Sequence, residues 1–287
     1  MFNTKSTLRT LIAGAFLTMA AAAQAAPVFS VDPRSNGLDV PGMVDGQEVP
    51  NLSREFTANT IKGESSARIE LIEGTTNRYT SVGWIRYDAF SNNVGNTSTN
   101  INALISGLGI NYSLYATFNQ TFTCNGALGT NVSCAIDDIA LSLWADAGAD
   151  SEFRTASLTA DAIVIPNGAR VELGTVTSIL SGAAGINELG GAFQNVNSNF
   201  MLTEAGKAFF VEPDPFYTAA FSAFNNTSSG LVCSPNCEAP TVVAITQESG
   251  ITDFNGAPAE VPEPGSLALM GLGLLGLGAY RRKRLQK

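Results

Sequence analysis

The sequence predicts an all-β body, an antiparallel β-sandwich of jelly-roll-like or immunoglobulin-like topology, flanked by a signal peptide and a C-terminal transmembrane helix. Apolar and polar residues alternate along several segments, and the longest alternation runs from residue 110 to residue 122. β-Branched and aromatic residues are common in these segments, and turns that contain Gly, Asn or Pro separate them about every eight to fifteen residues. Short strands at this spacing are typical of an antiparallel sandwich.

Residues 1–25 have the organisation of a secretory signal peptide. Two basic residues near the start precede an apolar segment, and the segment ends in Ala-Gln-Ala, the small-x-small pattern of a cleavage site. Residues 26–66 follow and are rich in Pro, Gly, Asp and Asn. This composition predicts an irregular lead-in that runs over the surface, with at most short edge strands.

The β-rich extracytoplasmic domain is predicted to span residues 67–249. The apolar face of its clearest strand carries Ile110, Tyr112, Leu114, Ala116, Phe118 and Phe122. Alternation of this length predicts one buried and one solvated face. Apolar residues alternate again from Ile139 to Ala145, so the two segments are predicted to form a hairpin.

The second half of the domain gives weaker signals. Residues 155–166 and 171–180 predict two strands joined at Pro166-Asn167-Gly168, since Asn-Gly is a strong turn signal. Residues 181–199 are rich in Gly, Ala and Asn, which predicts a loop. A last strand is expected at residues 241–247, and a tether at residues 250–260 leads to the C-terminal segment.

Four cysteines form two close pairs in the sequence, Cys124 with Cys134 and Cys233 with Cys237. In an exported protein the simplest interpretation is two local disulfides, although three connectivities are formally possible. A structural zinc site is the alternative, but the spacings C-x9-C and C-x3-C match no familiar zinc finger.

Charge and composition exclude several classes of function. All 25 acidic residues and nine of the 16 basic residues lie between residues 26 and 264, so the exported part carries a formal net charge of −16. Such a surface argues against nucleic-acid binding. The chain contains no histidine, which excludes Ser-His-Asp and Cys-His nucleophiles and histidine-ligated metals. We therefore expect no enzymatic activity, no catalytic residues and no cofactor.

Two groups of residues are candidate binding sites. Asp146, Asp150 and Glu152 follow a predicted strand and could supply oxygen ligands to calcium. The alternative is a solvated acidic turn. Tyr115 and Trp144 each break the alternation of their strand onto its polar face, where an aromatic ring could stack on a sugar. The alternative is that both rings form cross-strand packing pairs.

The C-terminal segment, residues 261–287, has three parts. Pro262, Glu263 and Pro264 resist helix and strand, since proline fixes its own φ and lacks a backbone donor. The apolar residues 266–280 would reach about 22 Å as a helix and form the predicted transmembrane span. The basic residues that follow hold the tail on the cytoplasmic side. They are Arg281, Arg282, Lys283 and Arg284.

This order of triplet, span and basic tail closely resembles the PEP-CTERM sorting signal of bacteria that make exopolysaccharide. The resemblance implies processing by an exosortase and localisation at the cell surface or in the extracellular matrix. The body more loosely resembles PEP-CTERM proteins associated with flocculation, on size, acidity and β-rich composition. It implies a structural or adhesive role with an extracellular polysaccharide as partner. A carbohydrate-binding module is the alternative function.

Overall fold

A computed structural model describes residues 27–38, 40–44, 47–226 and 230–255 of the chain. The predicted signal peptide and the whole C-terminal segment lie outside these residues. So does the end of the predicted tether, from residue 256 onward. Within the described ranges, no helix is long and apolar enough to cross a membrane. The prediction of an all-β body is confirmed.

The described residues form nineteen strands and three short helices. The main sheet has twelve strands, and ten of them follow one another in its continuous path. They are β5 Thr60–Leu71, β6 Arg78–Val94, β8 Tyr112–Cys124, β9 Val132–Ala147, β12 Arg170–Val176, β13 Ile179–Ile186, β14 Ala192–Asn199, β15 Met201–Leu202, β17 Ala219–Asn225 and β19 Val242–Asn255. The smaller strands are β1 Phe29–Val31, β2 Gly42–Val44, β3 Gln47–Val49, β4 Phe56–Ala58, β7 Thr97–Asn100, β10 Glu152–Arg154, β11 Ile163–Ile165, β16 Phe210–Glu212 and β18 Leu231–Ser234. The helices are a 3-10 turn at Ser35–Gly37, α1 Ala103–Ser106 and α2 Glu204–Phe209.

Eight of the strands form one barrel-like sheet. The predicted sandwich is not confirmed. The order of the eight strands is β13, β14, β17, β19, β5, β6, β8 and β9, and all neighbouring pairs are antiparallel. The first four residues of β9 also pair with β13, so the ring closes on itself. The second half of β9 pairs with β12, so the sheet divides at that end.

The seam between β9 and β13 explains why residues 181–199 form two strands and not the predicted loop. A Cβ atom added at Gly185 would lie only 2.1 Å from the carbonyl oxygen of Val132 on β9. The small residues that suggest a loop are therefore the ones that let the two backbones approach. The predicted tether is likewise shorter than expected, because residues 250–255 belong to β19.

The buried face predicted for β8 is confirmed from Tyr112 onward, whereas Ile110 lies before the strand begins and the other face is covered at Ser113 and Tyr115. Tyr112, Leu114, Ala116 and Phe118 point into the main core, and Phe122 packs in a second core cluster at the other end of the ring. Side chains of successive residues point to opposite faces of a strand, so a long regular alternation identifies the inner face directly.

The lead-in is more deeply built into the fold than its composition predicts. Strand β1 lies between β16 and β4 in a separate three-stranded sheet. Phe29 and Val31 of β1 are fully buried in the main core, where the Phe29 ring packs edge-on against the ring of Phe254 with centroids 5.2 Å apart. These aromatic residues cover one end of the barrel-like sheet.

Both predicted disulfides are confirmed. Cys124 and Cys134 stand directly opposite each other at the end of the β8–β9 hairpin, so their bond closes the base of its loop. The backbone N–H of Leu128 in this loop donates to the hydroxyl of Tyr79 over 2.8 Å. Cys233 of β18 is bonded to Cys237 in the turn that leads to β19.

Truncating Phe254 tests the aromatic packing at the end of the ring. Its side chain is 1% exposed and packs against the rings of Phe29 and Phe200, with centroids 5.2 and 4.9 Å away. We expect Phe254→Ala to lower the free energy of unfolding by about 3–5 kcal/mol, because a large core cavity forms. Leu189→Ala is the control, since Leu189 is 88% exposed. Equal urea midpoints for the two variants would contradict this packing.

Candidate functional site

Three of the predicted site residues come together on the outer face of the sheet. The register of β8 and β9 places Tyr115 opposite Trp144, and that of β9 and β12 places Asp146 opposite Arg170. The guanidinium of Arg170 lies 4.1 Å from the centre of the Trp144 ring, and its Nη1 is 3.5 Å from the Tyr115 hydroxyl. We call these four residues the Arg170 cluster.

Tyr115 points to the outer face as predicted, but it is not open to a ligand. The Phe153 ring packs edge-on against it at 5.6 Å, and Tyr115 is 0% exposed. No ring face of Tyr115 is therefore available to a sugar while β10 stays in place, which corrects the expectation for this residue. Trp144 is half-buried, and Arg170 covers one of its faces. A glycan contact at Trp144 stays a prediction.

The hairpin of β10 and β11 covers this part of the sheet. Besides contacting Tyr115, Phe153 packs against Trp84 with ring centroids 5.2 Å apart. The indole N–H of Trp84 donates to the carbonyl of Arg154 over 2.9 Å, and the backbone N–H of Ala156 donates to the Ser66 hydroxyl. The sequence gives no indication of this cover, because these contacts join residues far apart in the chain.

Asp146 is the buried acid of the Arg170 cluster. Burial raises the pKa of its carboxyl, a hydrogen bond from the Ser151 hydroxyl lowers it, and the nearby charge of Asp150 raises it. The Ser151 hydroxyl donates to Oδ2, whereas Oδ1 has no hydrogen-bond partner in the described part of the chain. Burial also raises the pKa of Tyr115, and Arg170 partly opposes that shift.

The structure does not gather the three predicted calcium ligands into one site. Asp146 is buried, and the exposed Asp150 accepts a hydrogen bond from the Asn167 amide over 2.8 Å. Glu152 is exposed and forms an ion pair with Arg154 at 2.8 Å. Among the described residues no cluster of three or more Asp, Glu, Cys or His side chains could hold a metal ion.

A second polar group, which the sequence does not reveal, lies inside the ring. Between the pair Ile245 and Ala67 and the pair Glu248 and Ser65, β19 has two residues where β5 has one, so β19 carries one extra residue. Bulges of this kind re-aim side chains. Glu248 is 6% exposed and lines a cavity of about 30 Å³, where its Oε2 accepts a hydrogen bond from the Ser65 hydroxyl over 2.9 Å.

Gln120 and Gln194 line the same cavity. The Gln120 amide donates to Oε1 of Gln194 over 2.6 Å, while Oε1 of Gln120 and Oε1 of Glu248 have no partner in the described residues. Burial raises the pKa of Glu248 to about 7, and the Ser65 hydrogen bond works in the opposite direction. In the sequence, the one sign of this buried polar group is Gln120, which interrupts the apolar face of its strand.

The chain can now be classified by the fold of its body and by its C-terminal segment. The body is an all-β domain with a barrel-like sheet and two disulfides. Residues 260–284 match the family of the PEP-CTERM protein-sorting motif, so the predicted resemblance is confirmed and the chain carries this sorting signal. No significant similarity to a curated protein or to a solved structure was found.

The sorting motif indicates how the chain is handled. It implies export, processing by an exosortase, and a surface or extracellular location after the C-terminal segment has been processed. The motif covers residues 260–284 alone and does not describe the body. What the body does must therefore be argued from its own surfaces.

Replacing Glu248 by glutamine tests the buried acid through the pH dependence of stability. The folded protein binds the Glu248 proton more tightly than the unfolded chain, whose pKa is near 4.5 against about 7 in the fold. The wild-type free energy of unfolding should therefore fall as pH rises from about 4.5 to 7. At about 1.4 kcal/mol per pKa unit, the loss amounts to about 3 kcal/mol. Glu248→Gln should remove this loss.

The measurement is urea unfolding at pH 5 and at pH 8 for the wild type and two variants. The control is Glu188→Gln, which replaces an exposed acid by the same amide. If Glu248→Gln and the wild type lost the same free energy of unfolding between the two pH values, Glu248 would not be the buried acid that the structure describes.

Proposed function

We propose that this chain is an exported, exosortase-processed surface or matrix protein with a structural or adhesive role in exopolysaccharide-dependent floc or biofilm formation. The observation that carries the proposal is the match of residues 260–284 to the PEP-CTERM sorting motif. The motif gives the protein its route out of the cell. An extracellular polysaccharide is its proposed partner at the destination.

The construction of the body supports an extracellular role. The long strands of the ring pair with neighbours on both sides, so few backbone groups remain open to uncontrolled pairing with other chains. Two disulfides fix the ends of neighbouring hairpins, which suits an oxidising environment. The excess of acidic residues favours solubility and disfavours direct contact between copies of the chain.

The proposed role includes no catalytic step. The chain has no histidine to serve as a base, and its buried acids Asp146 and Glu248 lie on different faces of the sheet. Asp146 belongs to the outer Arg170 cluster, whereas Glu248 faces the interior. A matrix component needs a durable surface and does not need a reaction centre.

A carbohydrate-binding module is the second candidate function. The observation that favours it is the half-buried Trp144, held on the outer face under the guanidinium of Arg170. If this pair binds a glycan, Trp144→Ala should abolish saturable binding to the polysaccharide of the producing cells. Trp144→Phe, which keeps an aromatic face, should retain part of it.

Processing at the sorting motif can be tested by intact-mass analysis of protein recovered from the producing cells and from their matrix. We expect a C-terminus near Pro262–Pro264, with the apolar span and basic tail absent. Replacing Pro262, Glu263 and Pro264 together by alanine should leave the chain full length and bound to membranes, because the recognition triplet is lost.

Pro258→Ala provides the matched control, since it removes a proline just outside residues 260–284. It should be processed like the wild type. A wild-type product that ends at Lys287 and is found in membranes alone would overturn the delivery of the protein to the matrix. Processing of the triple alanine variant would show that the triplet is not the signal.

A further inference from the structure

A shallow groove runs along the outer face of the sheet beside the covering hairpin. Its floor is formed by β6, β8, β9 and β12, and its wall by Ile163 and Val164 of β11. The volume is about 510 Å³, within the range of about 300–1,000 Å³ that is usual for ligand sites. We call it the hydroxyl groove, after the five polar side chains of its floor. They are Thr117, Asn119, Ser142, Thr175 and Thr177.

Register explains why these polar side chains meet. Ser142 stands opposite Thr117 on one side and Thr175 on the other, so three hydroxyl residues form a row across β8, β9 and β12. Asn119 follows on β8, opposite the exposed Ala140. The same alternation that sends apolar residues into the core sends this row outward.

Several of these polar groups have no hydrogen-bond partner in the described part of the chain. Among the described residues, the side chains of Asn119, Ser142 and Thr175 form no hydrogen bond, whereas Thr117 accepts one from the Trp144 indole over 3.2 Å. Their donors and acceptors are free to bind a ligand that offers hydroxyl groups. Trp144 extends the surface at the Thr117 end of the groove.

The charge of the groove restricts the class of ligand. The described residues that line it include no Asp, Glu, Lys or Arg, although the exported part of the chain carries a net charge of −16. An anionic polymer would be repelled by the protein as a whole and would find no cation in the groove. A neutral ligand rich in hydroxyl groups fits both the lining and the overall charge.

The apolar wall provides the second half of the match. Ile163 is 45% exposed and Val164 is half-buried, so branched aliphatic groups face the row of hydroxyls across the groove. Sugar rings present C–H groups on their faces and hydroxyls around their edges. We propose that the hydroxyl groove binds a single chain of a neutral polysaccharide. This inference rests on the proposed matrix function and assigns it a surface.

The test compares two alanine-to-phenylalanine variants of the processed protein purified from producing cells. Ala140 is exposed and lines the groove, so Ala140→Phe fills the groove without entering the core. Ala135 is exposed on the same strand and lies outside the groove, which makes Ala135→Phe the matched control. Thr175→Val removes one unpaired hydroxyl at nearly constant volume.

The probe is the deproteinised polysaccharide of the same cells, separated by anion exchange into neutral and acidic fractions. Affinity electrophoresis measures the dissociation constant for each fraction. We expect binding to the neutral fraction, weakened about tenfold or more by Ala140→Phe, weakened less by Thr175→Val, and unchanged by Ala135→Phe. Increasing salt should have little effect, because no ion pairs are formed.

Three other outcomes would overturn the inference. If the wild type binds polysaccharide but Ala140→Phe binds equally well, or if binding is confined to the acidic fraction, the groove is not the site, while the matrix function stands. If the processed wild type binds neither fraction, the groove and the adhesive role fail together. If processing were normal in that case, the proposal that the chain is sorted by an exosortase would still stand, but the proposed role of the body would not.

Discussion

The pairing of β9 with β13 is the contact on which the rest of the body depends. Four residue pairs, from Ala183 opposite Ala135 to Ile186 opposite Val132, convert an open sheet into a ring. Closure removes the exposed edges of both strands and encloses the apolar faces of all eight. It is possible because Gly185 allows the backbone of β13 to approach Val132 without a Cβ atom between them. A larger residue at Gly185 would force the seam apart.

Because the fold depends on closure of the ring, only some of its parts could be predicted from the sequence. The alternation along β8 is a local property, since a strand with one buried face must alternate wherever its partners lie. The loop disulfide is also local, because its cysteines share a hairpin. Closure is not local. The Gly- and Ala-rich residues of β13 resemble a loop until the partner that requires their small size is known, so a sandwich was the expected result.

The outer face shows the same limit at the level of single residues. The break in alternation correctly predicts that Tyr115 and Trp144 point outward, but the hairpin that buries Tyr115 begins about 40 positions further along the chain, at β10. Glu248 was unpredictable for a different reason. Its direction depends on a bulge in β19, and one extra residue leaves no signature in a polar stretch such as Thr246-Gln247. Local pattern indicates a face, and tertiary contacts decide whether that face is open.

The distribution of charge links the fold to the proposed role. The ring keeps the buried acid Glu248 inside and leaves the row through Ser142 uncharged on the outer face of an acidic protein. Copies of such a chain repel one another at low ionic strength, so direct protein contacts are a poor way to build a matrix. A neutral polymer does not contribute to that repulsion, and one polysaccharide chain can occupy the grooves of many copies of the protein. Cohesion would then come from the polymer, because a body with one groove for one polymer chain does not by itself join two of them, and the protein would add a stable surface along the polymer.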